Sequence, residues 1–164
     1  MNSSVTLRAV QPADLAFLVE VYASTRADEL ALTNWSDEQK DEFVRMQFAA
    51  QKKYYEENYS GAEYLLILYG DDPVGRLYLH RNDEEIRIMD IALLPAFRRK
   101  GIGSFLLDQL FTEARRSRKP VGIHVEIFNP ALRLYDRLGF KKMADKGVYH
   151  FLQWFPETDA VAVA

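Results

Sequence analysis

The chain has 164 residues and a formal net charge of −3, with 48% hydrophobic and 27% charged residues, which fits one ordinary globular domain and lacks the basic footprint of a nucleic-acid binder. It has no cysteine, so disulfides, thiolate metal sites and a cysteine nucleophile are excluded, and His80, His124 and His150 lie too far apart in sequence to predict a metal site. No apolar run approaches the ~20 residues of a membrane helix, and the opening residues lack the basic-then-apolar pattern of a secretory leader, so a cytoplasmic protein is expected.

Val5 to Val10 alternates Val5, Leu7 and Ala9 against Thr6, Arg8 and Val10 and predicts a first strand. Pro12-Ala13-Asp14 opens a helix, with proline in the first turn and an acid where the helix dipole favours one. Leu15, Leu18, Val19 and Tyr22 recur at helical spacing and predict its core face. Ser36 with Gln39 forms a capping box, and the helix it starts carries Phe43, Met46, Ala50 and Tyr54 on one predicted stripe. Tyr59-Ser60-Gly61 ends that helix. Tyr64 to Tyr69 is apolar enough to predict burial on both faces. The turn Gly70-Asp71-Asp72-Pro73 then leads to a return strand, Val74 to Arg81, and Asn82-Asp83 leads to a third, Glu85 to Leu93, which Pro95 stops.

A helix is predicted from Gly101 to Arg118, with Leu106, Leu107, Leu110, Phe111 and Ala114 buried and arginines in its last turns. Val121 to Phe128 alternates again as a strand. Asn129-Pro130 reads as the N-cap and first residue of a short helix that Gly139 ends. Two strands, Lys141 to Ala144 and Val148 to Phe155, follow around Asp145-Lys146-Gly147. The expected organisation is one domain over residues 1–156 and an unpatterned tail over 157–164.

The segment Arg98-Arg99-Lys100-Gly101-Ile102-Gly103 falls between a predicted strand and a predicted helix. Glycines there let the backbone approach a ligand, and the N–H groups of the first helical turn point at any anion beyond it. Three cations precede them. This describes a diphosphate site. It is not a P-loop, whose spacing is missing, nor a dinucleotide fingerprint, because Leu106 stands where the third glycine belongs.

The remaining reading is R-x-x-G-x-G. Ile91 through Gly103 (IALLPAFRRKGIG) closely resembles the acetyl-CoA-binding motif of the GNAT N-acetyltransferases. Asn129 through Phe140 (NPALRLYDRLGF) resembles the second signature of the same family. Two signatures in order, separated by one helix and one strand, are far more specific than either alone. The resemblance implies an α/β (α+β) fold in which about four helices flank a mixed sheet of about seven strands with a V-shaped split. It also implies acetyl-CoA as cosubstrate, with no metal.

The resemblance further implies that pantetheine lies where the strand ending at Leu93 parts from the strand at Val121 to Phe128. There it would pair with the main chain of Ile91, Ala92 and Leu93. Arg98, Arg99, Lys100, Gly101, Ile102 and Gly103 would hold the pyrophosphate, largely through N–H groups, with Ser104 adding a hydroxyl; Arg99 and Lys100 are equally readable as solvated charges. Asn129 matches the asparagine that bonds the pantetheine arm, although Asn before Pro is also an ideal local cap. Tyr135 matches the tyrosine that protonates the departing thiolate, against the alternative of a core tyrosine beside Leu134 and Leu138. For the general base, His124 and Glu126 share one strand face opposite Ile123, Val125 and Ile127. Glu126 is preferred, His124 is its rival and Asp90 ranks third.

The family builds its acceptor pocket from the first two helices and the late hairpin, which makes Trp35 and Tyr149 candidate walls and Asp28 and Glu29 candidate partners for an ammonium. The implied chemistry is direct attack of a neutral primary amine on the thioester, whose carbonyl is polarised by the Leu93 N–H, without an acyl-enzyme. The acceptor stays open between a small-molecule and a protein amine. Homodimers are common in the family, and nothing in the sequence marks a dimer contact. A non-catalytic acyl-CoA sensor and an interaction module that keeps only the fold are the alternatives; a retained Tyr135 favours the enzyme.

Overall fold

Asp14 shows how the chain turns from strand to helix. Its carboxylate accepts from both Arg8 guanidinium nitrogens, at 2.8 and 2.9 Å, and from the Gln11 N–H at 2.7 Å. Those bonds, the arginine first, hold the Asp14 carboxyl down at about 2. They tie β1 (Val5–Ala9) to the 3-10 turn Pro12–Asp14 that starts α1 (Leu15–Ala31). A computed structural model describes residues 4–157 of the chain; the predicted tail, beyond Glu157, lies outside the described residues.

The remaining elements are α2 (Asp37–Asn58), β2 (Glu63–Tyr69), β3 (Asp72–Arg81), β4 (Ile86–Leu93), α3 (Ile102–Ser117), β5 (Val121–Glu126), α4 (Leu132–Arg137), β6 (Lys141–Asp145) and β7 (Tyr149–Trp154). Among the described residues the seven strands hydrogen-bond in the order β1-β2-β3-β4-β5-β7-β6. One pair, β4 with β5, is parallel, whereas β1–β2, β5–β7 and β6–β7 are antiparallel, so the sheet is mixed. The mixed sheet and four helices match the expected fold class.

The chain forms two compact units. The first runs to Tyr78 and includes Ile91–Gly103; the second is Leu79–Asp90 with the chain from Ser104 onward. In the first, Leu18, Tyr22 and Leu30 of α1 pack with Val44 and Phe48 of α2 and Leu66 of β2. Ser36 caps α2 as its sequence requires: its Oγ accepts from the Gln39 N–H at 3.1 Å while Gln39 Oε1 accepts from the Ser36 N–H at 2.9 Å, a cap worth about 1 kcal/mol. Gly75 of β3 lies so close to β4 that an added Cβ would meet the Ala92 carbonyl oxygen and the Leu93 side chain.

In the second unit, α3 buries Leu106, Leu107, Leu110, Phe111 and Ala114 as its pattern predicts. Phe111 stacks on Trp154 at 4.1 Å between ring centroids and lies 5.8 Å from Phe140. Arg118, in the left-handed region at φ 57°, ends the helix, and the Arg81 guanidinium grips Glu113 with bonds of 2.6 and 2.9 Å. The parallel β4–β5 ladder has three pairs, from Ile86↔Val121 to Ile88↔Ile123, whereas the β5–β7 ladder has six, ending at Glu126↔Tyr149.

Several local expectations are corrected. Leu15 does not join the core of α1 and is 51% exposed. The buried stripe of α2 is Val44 and Phe48, while Met46 and Tyr54 of the predicted stripe are 59% and 55% exposed. Both stripes have helical spacing, and Tyr54 finds its contacts with Tyr55 and Tyr59 instead. Leu66 and Ile67, successive residues on opposite faces of β2, are both fully buried as predicted, but Tyr69 at the strand end faces solvent. Strand β5 stops at Glu126, where the chain turns and leaves Phe128 exposed. Asn129 is not the N-cap of α4; that position is Ala131. The Asn129 side-chain oxygen accepts from the Ala131 N–H at 2.9 Å, an Asx turn preceding the helix by two residues.

Candidate active site

Ile91, Ala92 and Leu93 form the last, half-buried residues of β4. The chain then makes a 3-10 turn at Pro95–Phe97 and a tight reversal into α3. Arg98 closes this reversal on itself: its Nε donates to the Leu93 carbonyl at 2.9 Å, and its Nη2 lies 3.5 Å from Ser24 Oγ. Its guanidinium therefore braces the end of β4.

Beyond it, Arg99 is in the left-handed region at φ 61° and Gly101 at φ 81°. A non-glycine residue held there is uncommon. Left-handed residues in a tight turn gather successive N–H groups into an anion-binding concavity. Arg99, Lys100 and Gly101 are exposed, whereas Ile102 is buried and anchors the first turn of α3. The N–H groups of that turn have no intrahelical acceptor. A Cβ added to Gly103 would meet no heavy atom within 4 Å, so the space over this turn is open. Ser104, one residue on, is half-buried. These residues fit a diphosphate: backbone donors, cations at the rim and open space at Gly103.

The other candidates belong to the second unit. Tyr135 of α4 is buried, with its ring 5.3 Å from that of Phe140. Burial, and then the negative charge of Asp90, push its phenol well above the ordinary tyrosine range. At neutral pH it is therefore protonated.

His124 is half-buried on β5, tilted against Phe151 at 4.8 Å. Arg87 Nη1 lies 3.2 Å from its Nδ1. A guanidinium only donates, so Nδ1 is the acceptor and the ring proton sits on Nε2. Burial, then the charges of Arg87 and Lys146, hold the imidazole below its ordinary pKa, with Glu85 opposing. His124 is thus a neutral N–H donor whose one lone pair is occupied. Glu126, two residues along, is exposed, and its backbone carbonyl accepts from the Asn129 N–H at 2.9 Å.

The surroundings of His124 are not evident from motifs. Arg87 pairs with Glu85 at 2.5 Å and lies over the Phe151 ring at 5.0 Å, and Gln153 Nε2 reaches Glu85 at 3.3 Å. Gly122 leaves room for that carboxylate, which a Cβ would strike. The signal available in sequence is Glu85 and Arg87 sharing one face of a strand whose other face is Ile86 and Ile88. Of the proposed pocket walls, Trp35 is 39% exposed and packs edge-on against Phe43 at 5.3 Å, and Tyr149 is 40% exposed. Glu29 accepts from Arg26 at 2.9 Å, and Asp28 is exposed. Among the described residues no group of three or more His, Cys, Asp or Glu could hold a metal ion, and no helix is long and apolar enough to cross a membrane.

Comparison with known proteins agrees with this arrangement. A mixed sheet whose fourth strand runs into a glycine turn and a helix head defines an acetyltransferase-type fold. The family model described as the acetyltransferase (GNAT) family matches residues 25–140, and the chain belongs to that family. No curated protein matches the sequence. The PaiA N-acetyltransferase of Thermoplasma acidophilum, solved in complex with coenzyme A, is similar with a TM-score of 0.70 and 18% identity, over 93% of this chain and 99% of that one. An acetyltransferase of Thermus thermophilus is similar with a TM-score of 0.68 and 19% identity, over 94% and 98%. The yncA protein of Salmonella typhimurium, solved with its cofactor acetyl-CoA, has a TM-score of 0.56 and 24% identity, over 96% and 97%.

Proposed function

We propose that this chain is an N-acetyltransferase that moves an acetyl group from acetyl-CoA to a primary amine by direct attack, as one functional domain over residues 1–156. The observation that carries the reading is the turn from Arg98 to Gly103. Its left-handed residues at 99 and 101, and the open space over Gly103, make an unobstructed cradle of amides at a helix head. The solved neighbours with coenzyme A and acetyl-CoA support the same cosubstrate. The short β4–β5 ladder is consistent with strands that part to admit a pantetheine arm.

When bound, acetyl-CoA supplies an activated thioester. The main chain of Ile91, Ala92 and Leu93 orients it, and the Leu93 N–H polarises its carbonyl. Arg98 braces the strand end, Arg99 through Ser104 hold the diphosphate, and Asn129 contacts the pantetheine arm. Glu126 takes the proton from the incoming ammonium. His124 is the weaker candidate for that step because its Nδ1 already accepts from Arg87. Tyr135 gives its proton to the departing sulfur. Its raised pKa does not forbid this, because burial that disfavours phenolate also disfavours thiolate. The acceptor is a small-molecule or protein amine, and a cytoplasmic setting suits the cosubstrate.

The test is thiol release from acetyl-CoA over a panel of amino acids, polyamines, aminoglycosides and peptide amines. Tyr135→Phe should lower kcat by about 10²–10⁴-fold while the KM for acetyl-CoA changes little. Binding of coenzyme A without turnover on any amine would instead favour the acyl-CoA sensor.

A further inference from the structure

Strand β1 stands first in the strand order, so only one of its two sides meets another strand. The bonds at its ends show which main-chain groups face the open side. The Val10 N–H donates to the Tyr64 carbonyl and the Gly70 N–H to the Ser4 carbonyl, each at 2.9 Å. In an antiparallel pair, hydrogen-bonded and non-bonded positions alternate. Ser4 and Val10 therefore place Thr6 and Arg8 in the set bonded to β2, and the N–H and C=O groups of Val5, Leu7 and Ala9 point away from it. Arg8 Nη1 donates to the Ala9 carbonyl at 3.1 Å, which leaves that oxygen a second lone pair.

This side lacks the devices that ordinarily close an edge strand. Val5 to Ala9 contains no lysine, proline or glycine, and its register with β2 runs unbroken from Val5↔Tyr69 to Ala9↔Leu65. Its one charge, Arg8, is already neutralised by Asp14. Leu7, at the centre, is 36% exposed, and Thr6 and Ala9 are exposed too. The strand is also its own complement. Turned about a two-fold axis through Leu7 and laid antiparallel, a second β1 sets Leu7 on Leu7, Val5 on Ala9 and Thr6 on Arg8. The outward-pointing residues then meet as hydrogen-bonded pairs, each exchanging both of its N–H to C=O bonds. Val5, Leu7 and Ala9 share one face across the join, and no like charges stand opposite each other.

We propose that two copies of this chain pair through the open side of β1, antiparallel and two-fold symmetric, so that one sheet continues into the other. A five-residue ladder is short, so the dimer forms at about 1–100 μM rather than at nanomolar concentration. No residue assigned to acetyl transfer lies in β1, so pairing and turnover are separable.

Sedimentation velocity of the full chain over about 0.5–500 μM should show a monomer–dimer equilibrium. Residue-resolved amide exchange should slow with rising protein concentration at Val5, Leu7 and Ala9, while Thr6 and Arg8, already bonded to β2, keep one rate. Leu7→Pro deletes an N–H that β2 does not use, and proline is tolerated on an edge strand. It should weaken the dimer by at least about tenfold. Leu7→Lys is the second variant: it keeps the N–H but sets like charges against each other at the axis, with the same expected loss. Both variants should keep the wild-type circular dichroism. The proposal is overturned if the chain sediments as a monomer throughout, if exchange at Val5, Leu7 and Ala9 ignores concentration, or if the dimer persists unweakened in folded Leu7→Pro or Leu7→Lys.

Discussion

Arg87 decides what His124 can do. With Nδ1 accepting from a donor-only guanidinium, the imidazole keeps its proton on Nε2 and has no lone pair to offer an ammonium. Glu126, on the same strand face, is therefore the proton acceptor we propose. We expect Glu126→Gln to lower kcat/KM by about 10²-fold or more and His124→Gln to lower it far less. Measuring both variants with the best acceptor from the amine panel checks this, and a larger loss in His124→Gln would reverse the assignment.

At the scale of elements, the end of β4 is held from two sides within its own unit. Arg98 bonds the Leu93 carbonyl, and Gly75 lets β3 come against Ala92 and Leu93. Gly75→Ala forces a methyl group against backbone, which cannot swing away as a side chain can. The expected cost is about 1–3 kcal/mol in urea denaturation, together with a higher KM for acetyl-CoA. What is legible in the sequence at this scale follows the strength of each pattern. The core face of α3, one apolar stripe with polar residues elsewhere, can be read residue for residue. That of α2 cannot, because Phe43, Met46, Ala50 and Tyr54 are spaced as well as Val44 and Phe48, and only the tertiary partners on α1 choose between them. Asn129 misleads for a related reason: an Asx turn and an N-cap use the same side-chain bond and differ only in the backbone that follows. The glycine turn is legible as a motif, whereas the left-handed Arg99 is not, since no local rule places arginine there. The Arg87–Glu85 pair stays hidden because strand charges ordinarily read as solvated.

For the whole molecule, the amide cradle and the folded state are linked by mass action. Coenzyme A at about 100 times its Kd should stabilise the chain by about 2.7 kcal/mol, read as an upward shift of the thermal midpoint that grows with ligand concentration. Gly101→Asp should remove most of that shift. Aspartate tolerates the left-handed region better than most residues, and its carboxylate stands where the diphosphate is proposed. An unchanged shift in a folded Gly101→Asp protein would remove the turn from the cofactor site. The strand order has a separate outcome for self-association. The last strand in the order, β6, carries Lys141 and Lys142 and breaks register between Lys142 and Ala144. Lysines and a bulge on an outer strand deter another chain from continuing the sheet. Copies of this protein that meet at β6 must therefore do so through side chains, because a sheet prolonged across two molecules there is an arrangement this strand is built to refuse.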